Sequence, residues 1–212
     1  ELVAQDGASA ARPVSAYGYP IYVTKDRRRV QELRYDFAQD GARPVELSLP
    51  SAHLGARGYE QIAWAAAPQR LAFLRTTSGE LVVMGYDPEQ DVLGWSVVPL
   101  AGGVVEDIDV TSSVDGARDV VSLLVRREID GATVRFREEI AEIYGILSGA
   151  SSIAEAVHLY AAHVLTPDPA ADTLSVPHLA GQTVYAWTDR GEHGPLTVAG
   201  DGTVTLPVAV SR

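Results

Sequence analysis

The apolar positions of this chain fall in short runs separated by turn residues, and the clearest set lies between Tyr59 and Val98. Tyr59–Ala66 predicts one strand, and Leu71–Thr76 and Leu81–Tyr86 predict two more across a Ser78-Gly79 hairpin turn. The polar loop Asp87-Pro88-Glu89-Gln90-Asp91 then leads into a fourth strand, Leu93–Val98. Four antiparallel strands joined by short turns make one meander or one propeller blade.

The pattern recurs on either side. Pro20–Thr24 predicts a short strand and Lys25-Asp26-Arg27-Arg28 a charged turn. Over Val30–Phe37, Val30, Leu33 and Tyr35 are apolar, while Gln31, Glu32, Arg34 and Asp36 are polar. The aromatic and β-branched residues favour a strand over a helix there. Pro44–Leu54 reads as a connection with room for one helical turn. Downstream, Val104–Val110, Val120–Glu128 and Thr133–Ile140 read as strands, the last two joined by an Asp130-Gly131 turn. Three hairpins, Ile21/Val30, Leu71/Leu81 and Val121/Thr133, thus recur near the ~40–50-residue period of propeller blades. Three blades cannot close a ring of four or more, so the chain reads as an arc of a larger propeller.

After Ile140 the composition shifts. Ala141–Leu147 and Ser151–Tyr160 suit a helix with Ser151-Ser152 as its cap. A Pro-rich stretch, Thr166-Pro167-Asp168-Pro169, separates it from a second β region with strands at Thr183–Thr188, Leu196–Ala199 and Thr203–Leu206. The expected fold is all-β and mostly antiparallel, with little helix: propeller-like blades followed by a small β-sandwich or barrel. The expected division is a linker over 1–18, a β-repeat domain over 19–145 and a small β domain over 146–212.

Charge and composition narrow the function classes. The net charge is -11 over 212 residues, and Lys25 is the only lysine. An acidic surface repels phosphate backbones, which disfavours tight nonspecific nucleic-acid binding and suits a wall that DNA slides past. Solubility alone also accounts for such a charge. Without cysteine there is neither a disulfide nor a thiolate metal site, and without asparagine there is no N-glycosylation acceptor. No apolar run approaches the ~20 residues of a membrane helix. The first residues, ELVAQDGASAARP, lack an initiator Met and the features of a signal peptide, and read as an internal cut point or processed end.

Candidate chemistry is sparse. His53, His158, His163, His178 and His193 show no zinc spacing, and His178 and His193 fall in expected loops. No G-x-S-x-G elbow is present, and Ala101-Gly102-Gly103 precedes a strand rather than a helix, so it cradles no phosphate. Asp87, Glu89 and Asp91, with Glu106, Asp107 and Asp109 nearby, resemble part of a calcium loop but lack its Gly and terminal Glu. Glu138, Glu139 and Glu142 suggest glycosidase carboxylates, yet consecutive Glu138 and Glu139 point to opposite faces of a strand. Trp64, Trp95, Tyr86, Tyr35 and Trp187 are candidates either for blade cores or for a sugar platform. The basic islands Arg27-Arg28-Arg29 and Arg126-Arg127 read as salt-bridge or subunit-contact residues. The sequence assigns no catalytic, cofactor-binding or metal-ligating residue.

Leu71–Trp95, then Gly102-Gly103-Val104-Val105-Glu106-Asp107-Ile108, then Val121–Ile140 with its Arg126-Arg127 and Asp130-Gly131 hairpin, resemble in order a family of tail proteins from short-tailed phages and prophages, the nozzle or tail tubular B-type proteins. His178–Val184 and Val198–Leu206 resemble a second segment of that family. The resemblance departs at Ala141–Tyr160, and family members usually extend beyond this C-terminus, so the chain is expected to be a fragment or shortened homologue. It implies a virion structural role without catalytic residues or cofactors. A homo-oligomeric ring beside portal-adaptor and other tail proteins would conduct DNA during ejection without binding it specifically. The alternatives are a module that binds host-surface glycans and, less favoured, a glycan-degrading enzyme.

Overall fold

The computed structural model describes residues 6–38, 40–141, 157 and 159–212. These divide into two compact units, one within Glu1–Arg126 and Phe136–Glu142, the other within Arg127–Arg135 and Ile143–Arg212. The fold is mostly antiparallel β, in several small sheets, none of them closed.

In the first sheet β1 (Val14–Ala16), β2 (Tyr19–Val23), β3 (Val30–Asp36) and β4 (Gly41–Glu46) pair in chain order. The second repeats that meander with β5 (Tyr59–Ala65), β6 (Leu71–Thr76), β7 (Leu81–Asp87) and β8 (Val92–Val98). A third sheet holds β9 (Val104–Ser112), β10 (Asp119–Ile129) and β11 (Ala132–Glu139), with β10 central. The expected strands are therefore present at close to their expected limits. Two strands of these sheets were missed: β1 lies inside the stretch read as a linker, and β4 ends within the Pro44–Leu54 stretch read as a connection. The helical turn expected before Leu54 is an irregular 3-10 segment, Leu49–Arg57, kinked at Ser51.

Packing explains the apolar runs of the second sheet. Ile62, Ala72, Leu74, Val82, Met84 and Tyr86 form a buried cluster with Ile21, Val23 and Val30 of the first sheet. Ala65, Phe73 and Leu81, from alternate positions, form another with Val105, Ile108, Val121, Leu123 and Val125 of the third. Because side chains alternate along a strand, β6 and β7 must be apolar on both faces, and they read as runs. β10 buries only one face: Val121, Leu123 and Val125 point inward, while Ser122 accepts a hydrogen bond from Arg137 (2.9 Å) and Arg126 pairs with Glu106 (3.2 Å).

Polar contacts fix the stacking of the second and third sheets. The Gln61 amide donates to Asp107 Oδ1 (2.7 Å) and to the Ile108 carbonyl (2.8 Å), and accepts from the Ile108 N–H. The Ala66 and Ala67 N–H groups donate to Asp119 Oδ2. The Val105 N–H donates to the carbonyl of Gly79 (2.9 Å), which holds the β6–β7 turn against β9.

The second unit contains β12 (Ala171–Ser175), which pairs with β15 (Thr203–Val210), and β13 (Thr183–Thr188), which pairs with β14 (Gly191–Thr197). Its core is Val176, Val198 and Val204, with Leu174, Leu179, Val184 and Leu196 packed around it. β12 was not expected, and β14 begins well before Leu196. The helix expected within 141–160 falls, apart from its ends, outside the described residues, as do Glu142 and His158.

Candidate functional site

The first two sheets share a polar seam inside their core. Glu32 faces inward from β3 and is fully buried. It accepts hydrogen bonds from Arg34 Nε and from the Tyr86 hydroxyl (2.8 Å), and Arg34 also donates to that hydroxyl (2.6 Å). This departs from the apolar and polar pattern of β3: Glu32 lies in the core on the same face as buried Val30, while Tyr35 is 46% exposed and packs edge-on against Phe37. The reason is the partner surface. Tyr86 supplies a hydroxyl on the facing sheet, so a carboxylate there has a donor and need not face water.

The seam opens onto a shallow groove of about 530 Å³ lined by residues including Ala66, Pro68, Arg70, Tyr86, Asp87 and Val92. Arg70 pairs with Asp87 and lies 4.9 Å from the centroid of the Tyr17 ring. Its charged groups are thus already matched.

The aromatic candidates separate into two classes. Trp95 stacks on Tyr59 with centroids 6.2 Å apart and donates its indole N–H to the Leu47 carbonyl (3.0 Å). Trp64 meets Tyr17 edge-on, and Tyr86 is buried. These three are core residues. Trp187, in contrast, is 70% exposed, and Tyr185 beside it on β13 is 63% exposed. Exposure alternates along β13, which puts both rings on its open side, with exposed Glu192 opposite Trp187. Tyr185 was missed in the sequence; the i, i+2 aromatic spacing was the available signal.

The carboxylate clusters disperse. Glu106 pairs with Arg126, Glu139 with Arg118 (3.2 Å), and Asp107 with Gln61. Among the described residues no group of three His, Asp or Glu is arranged to hold a metal. His193 lies on β14 rather than in a loop, opposite Ala186. His178 lies in a short 3-10 segment, Pro177–Leu179, with its ring 4.8 Å from that of His163. Burial and the neighbouring His163 hold its pKa below the ordinary imidazole value. The basic island Arg27-Arg28-Arg29 supplies ion pairs from Arg27 to Glu60 and from Arg29 to Asp6 and Asp26.

Burial pushes the phenols of Tyr59 and Tyr86 up to about 12, with Glu32 also raising Tyr86. The folded state then holds protons that the unfolded chain releases near pH 10, so stability falls as pH rises from about 10 to 12. Each phenol contributes on the order of 2 kcal/mol to that loss. Tyrosinate absorbance should report no ionisation of these two before the alkaline unfolding transition, and Tyr59→Phe should shallow the pH dependence. Ionisation near pH 10 in the still-folded chain would contradict this.

Compared with models of known protein families and with curated proteins, the chain shows no significant match. Among the described residues no helix is long and apolar enough to cross a membrane.

Proposed function

We propose that the chain is a structural segment of a phage tail, assembling as a ring-shaped nozzle or hub that conducts DNA during ejection. The observation that carries this reading is where the family-like motifs fall. Leu71–Trp95, Gly102–Ile108 and Val121–Ile140 are the segments that build β6–β8, β9 and the β10–β11 hairpin, and the first two sheets are repeated meanders stacked face to face. Strand edges left open by unclosed sheets are natural sites for pairing with neighbouring copies. The net charge of -11 suits a conduit that DNA crosses without sticking. Purified chain at high concentration should form closed rings visible by electron microscopy; an unchanging monomer at every concentration would count against the reading.

Tyr185 and Trp187 favour a second reading, a host-surface glycan-binding module. A Cβ on Gly194 would lie 2.5 Å from Tyr185 Cδ1, so the Tyr185 ring rests directly on this backbone and is held in place. Two exposed rings with a carboxylate alongside form a surface on which a sugar face stacks and its hydroxyls donate. Trp187→Ala should leave stability within about 0.5 kcal/mol, while weakening any saturable polysaccharide binding by roughly tenfold or more. Unaltered binding in a titration of that variant would remove this surface as the platform.

A further inference from the structure

A small cavity of about 160 Å³ opens in the first unit between Ser9, Ala10 and Ala11 on one side and Arg27, Tyr59, Glu60 and Arg75 on the other. Two buried polar atoms of its lining residues, the Tyr59 hydroxyl and Arg75 Nε, have no hydrogen-bond partner among the described residues. Tyr59 is fully buried, so its hydroxyl cannot turn to bulk water. Leaving a buried donor unmatched is costly, and native structures rarely do so without a ligand or ordered water.

The charges say what fits. Glu60 accepts from Arg27 (2.9 Å) through one oxygen and from Arg75 (2.8 Å) through the other. One carboxylate thus faces two guanidinium groups, and the cavity wall keeps a single net positive charge. Arg27 reaches it from a left-handed turn position (φ 61°), and its carbonyl accepts from the Tyr59 N–H (2.7 Å). The wall contributed by Ala10 and Ala11 is apolar. The volume is well above the about 10–15 Å³ that one water needs.

We propose that this cavity binds a short-chain monocarboxylate. Its carboxylate takes hydrogen bonds from Tyr59 and Arg75 and balances the net charge, and its carbon stem lies against Ala10 and Ala11. The single net charge and the small volume favour a compact monoanion over phosphate, which at neutral pH is a mixture of monoanion and dianion. The site is independent of the ring reading, since neither its donors nor its charge depends on assembly.

The test is titration of the full chain with sodium acetate, and separately with sodium phosphate, at ionic strength held constant with chloride. Thermal midpoint and calorimetry serve as readouts. The expected result is saturable acetate binding, with a rising midpoint and weaker binding of phosphate. Tyr59→Phe, which keeps the ring in the core, should weaken acetate roughly tenfold. Arg27→Gln, at an exposed position, should weaken it too without unfolding the chain. Absence of saturable acetate binding in the parent chain, or a Tyr59→Phe variant that folds and binds acetate equally well, would overturn the proposal. The first outcome would assign the cavity to water alone, and the second would place the bound acetate at a site that does not use Tyr59.

Discussion

Gly79→Ala is expected to destabilise the chain by about 2–4 kcal/mol. Gly79 has φ +78°, a conformation that costs any L side chain. The added Cβ would lie 2.3 Å from Val104 Cγ1 and 3.0 Å from the Val105 carbonyl oxygen. The valine methyl can rotate away, but the backbone of β9 cannot, because its N–H is bonded to Gly79 itself. The substitution therefore separates the β6–β7 turn from the third sheet. Urea denaturation should show a lower midpoint with an unchanged slope. A loss below about 1 kcal/mol, within the range of ordinary surface substitutions, would mean the turn does not seat against β9 as described.

Glu32→Ala should cost about 2–4 kcal/mol by a different route. Removing the carboxylate leaves a buried Tyr86 hydroxyl without its acceptor and an Arg34 guanidinium without its counter-ion. Breaking a fully buried pair costs about 3–5 kcal/mol, and the partial exposure of Arg34 (39%) reduces that here. Replacing Glu32 and Arg34 with leucine and Tyr86 with phenylalanine should recover most of the loss, since no charge is then stranded. Equilibrium unfolding of the single and triple variants checks both. If the triple variant is less stable than Glu32→Ala, the seam contributes through its hydrogen bonds and not merely by avoiding unpaired charge.

The same residues show how far the sequence could be read. The β6–β7 hairpin was legible because Ser78-Gly79 marks the turn and the flanking runs fix its strands. The burial of Glu32 beside Val30 was not, because a period of two says which residues share a face but not which face is buried. Glu32 and Arg34 look solvent-facing until Tyr86, 54 residues on, is placed opposite them. β4 carries Pro44, which weakens a strand signal; the structure tolerates it because β4 is the edge of its sheet. β12 is short and polar, and its partner, β15, lies some 30 residues downstream, so no local pattern reveals it. The aromatic candidates divide the same way: Trp95 and Trp187 are alike in sequence, and only the packing of Tyr59 and Leu47 around Trp95 separates core from platform. The cavity at Tyr59 and Arg75 was outside the reach of motif reading, since its lining comes from four separate stretches of chain.

The central claim is that these stacked, unclosed β-meanders serve as wall segments of a DNA conduit. Cryo-electron microscopy of the particle or complex that carries this chain tests it most directly. The expected result is ring density on the tail axis, with copies side by side and acidic loops toward the lumen. Density on a peripheral fibre, or a chain that remains a lone monomer outside any tail, would contradict it and leave Tyr185 and Trp187 as the surface to pursue.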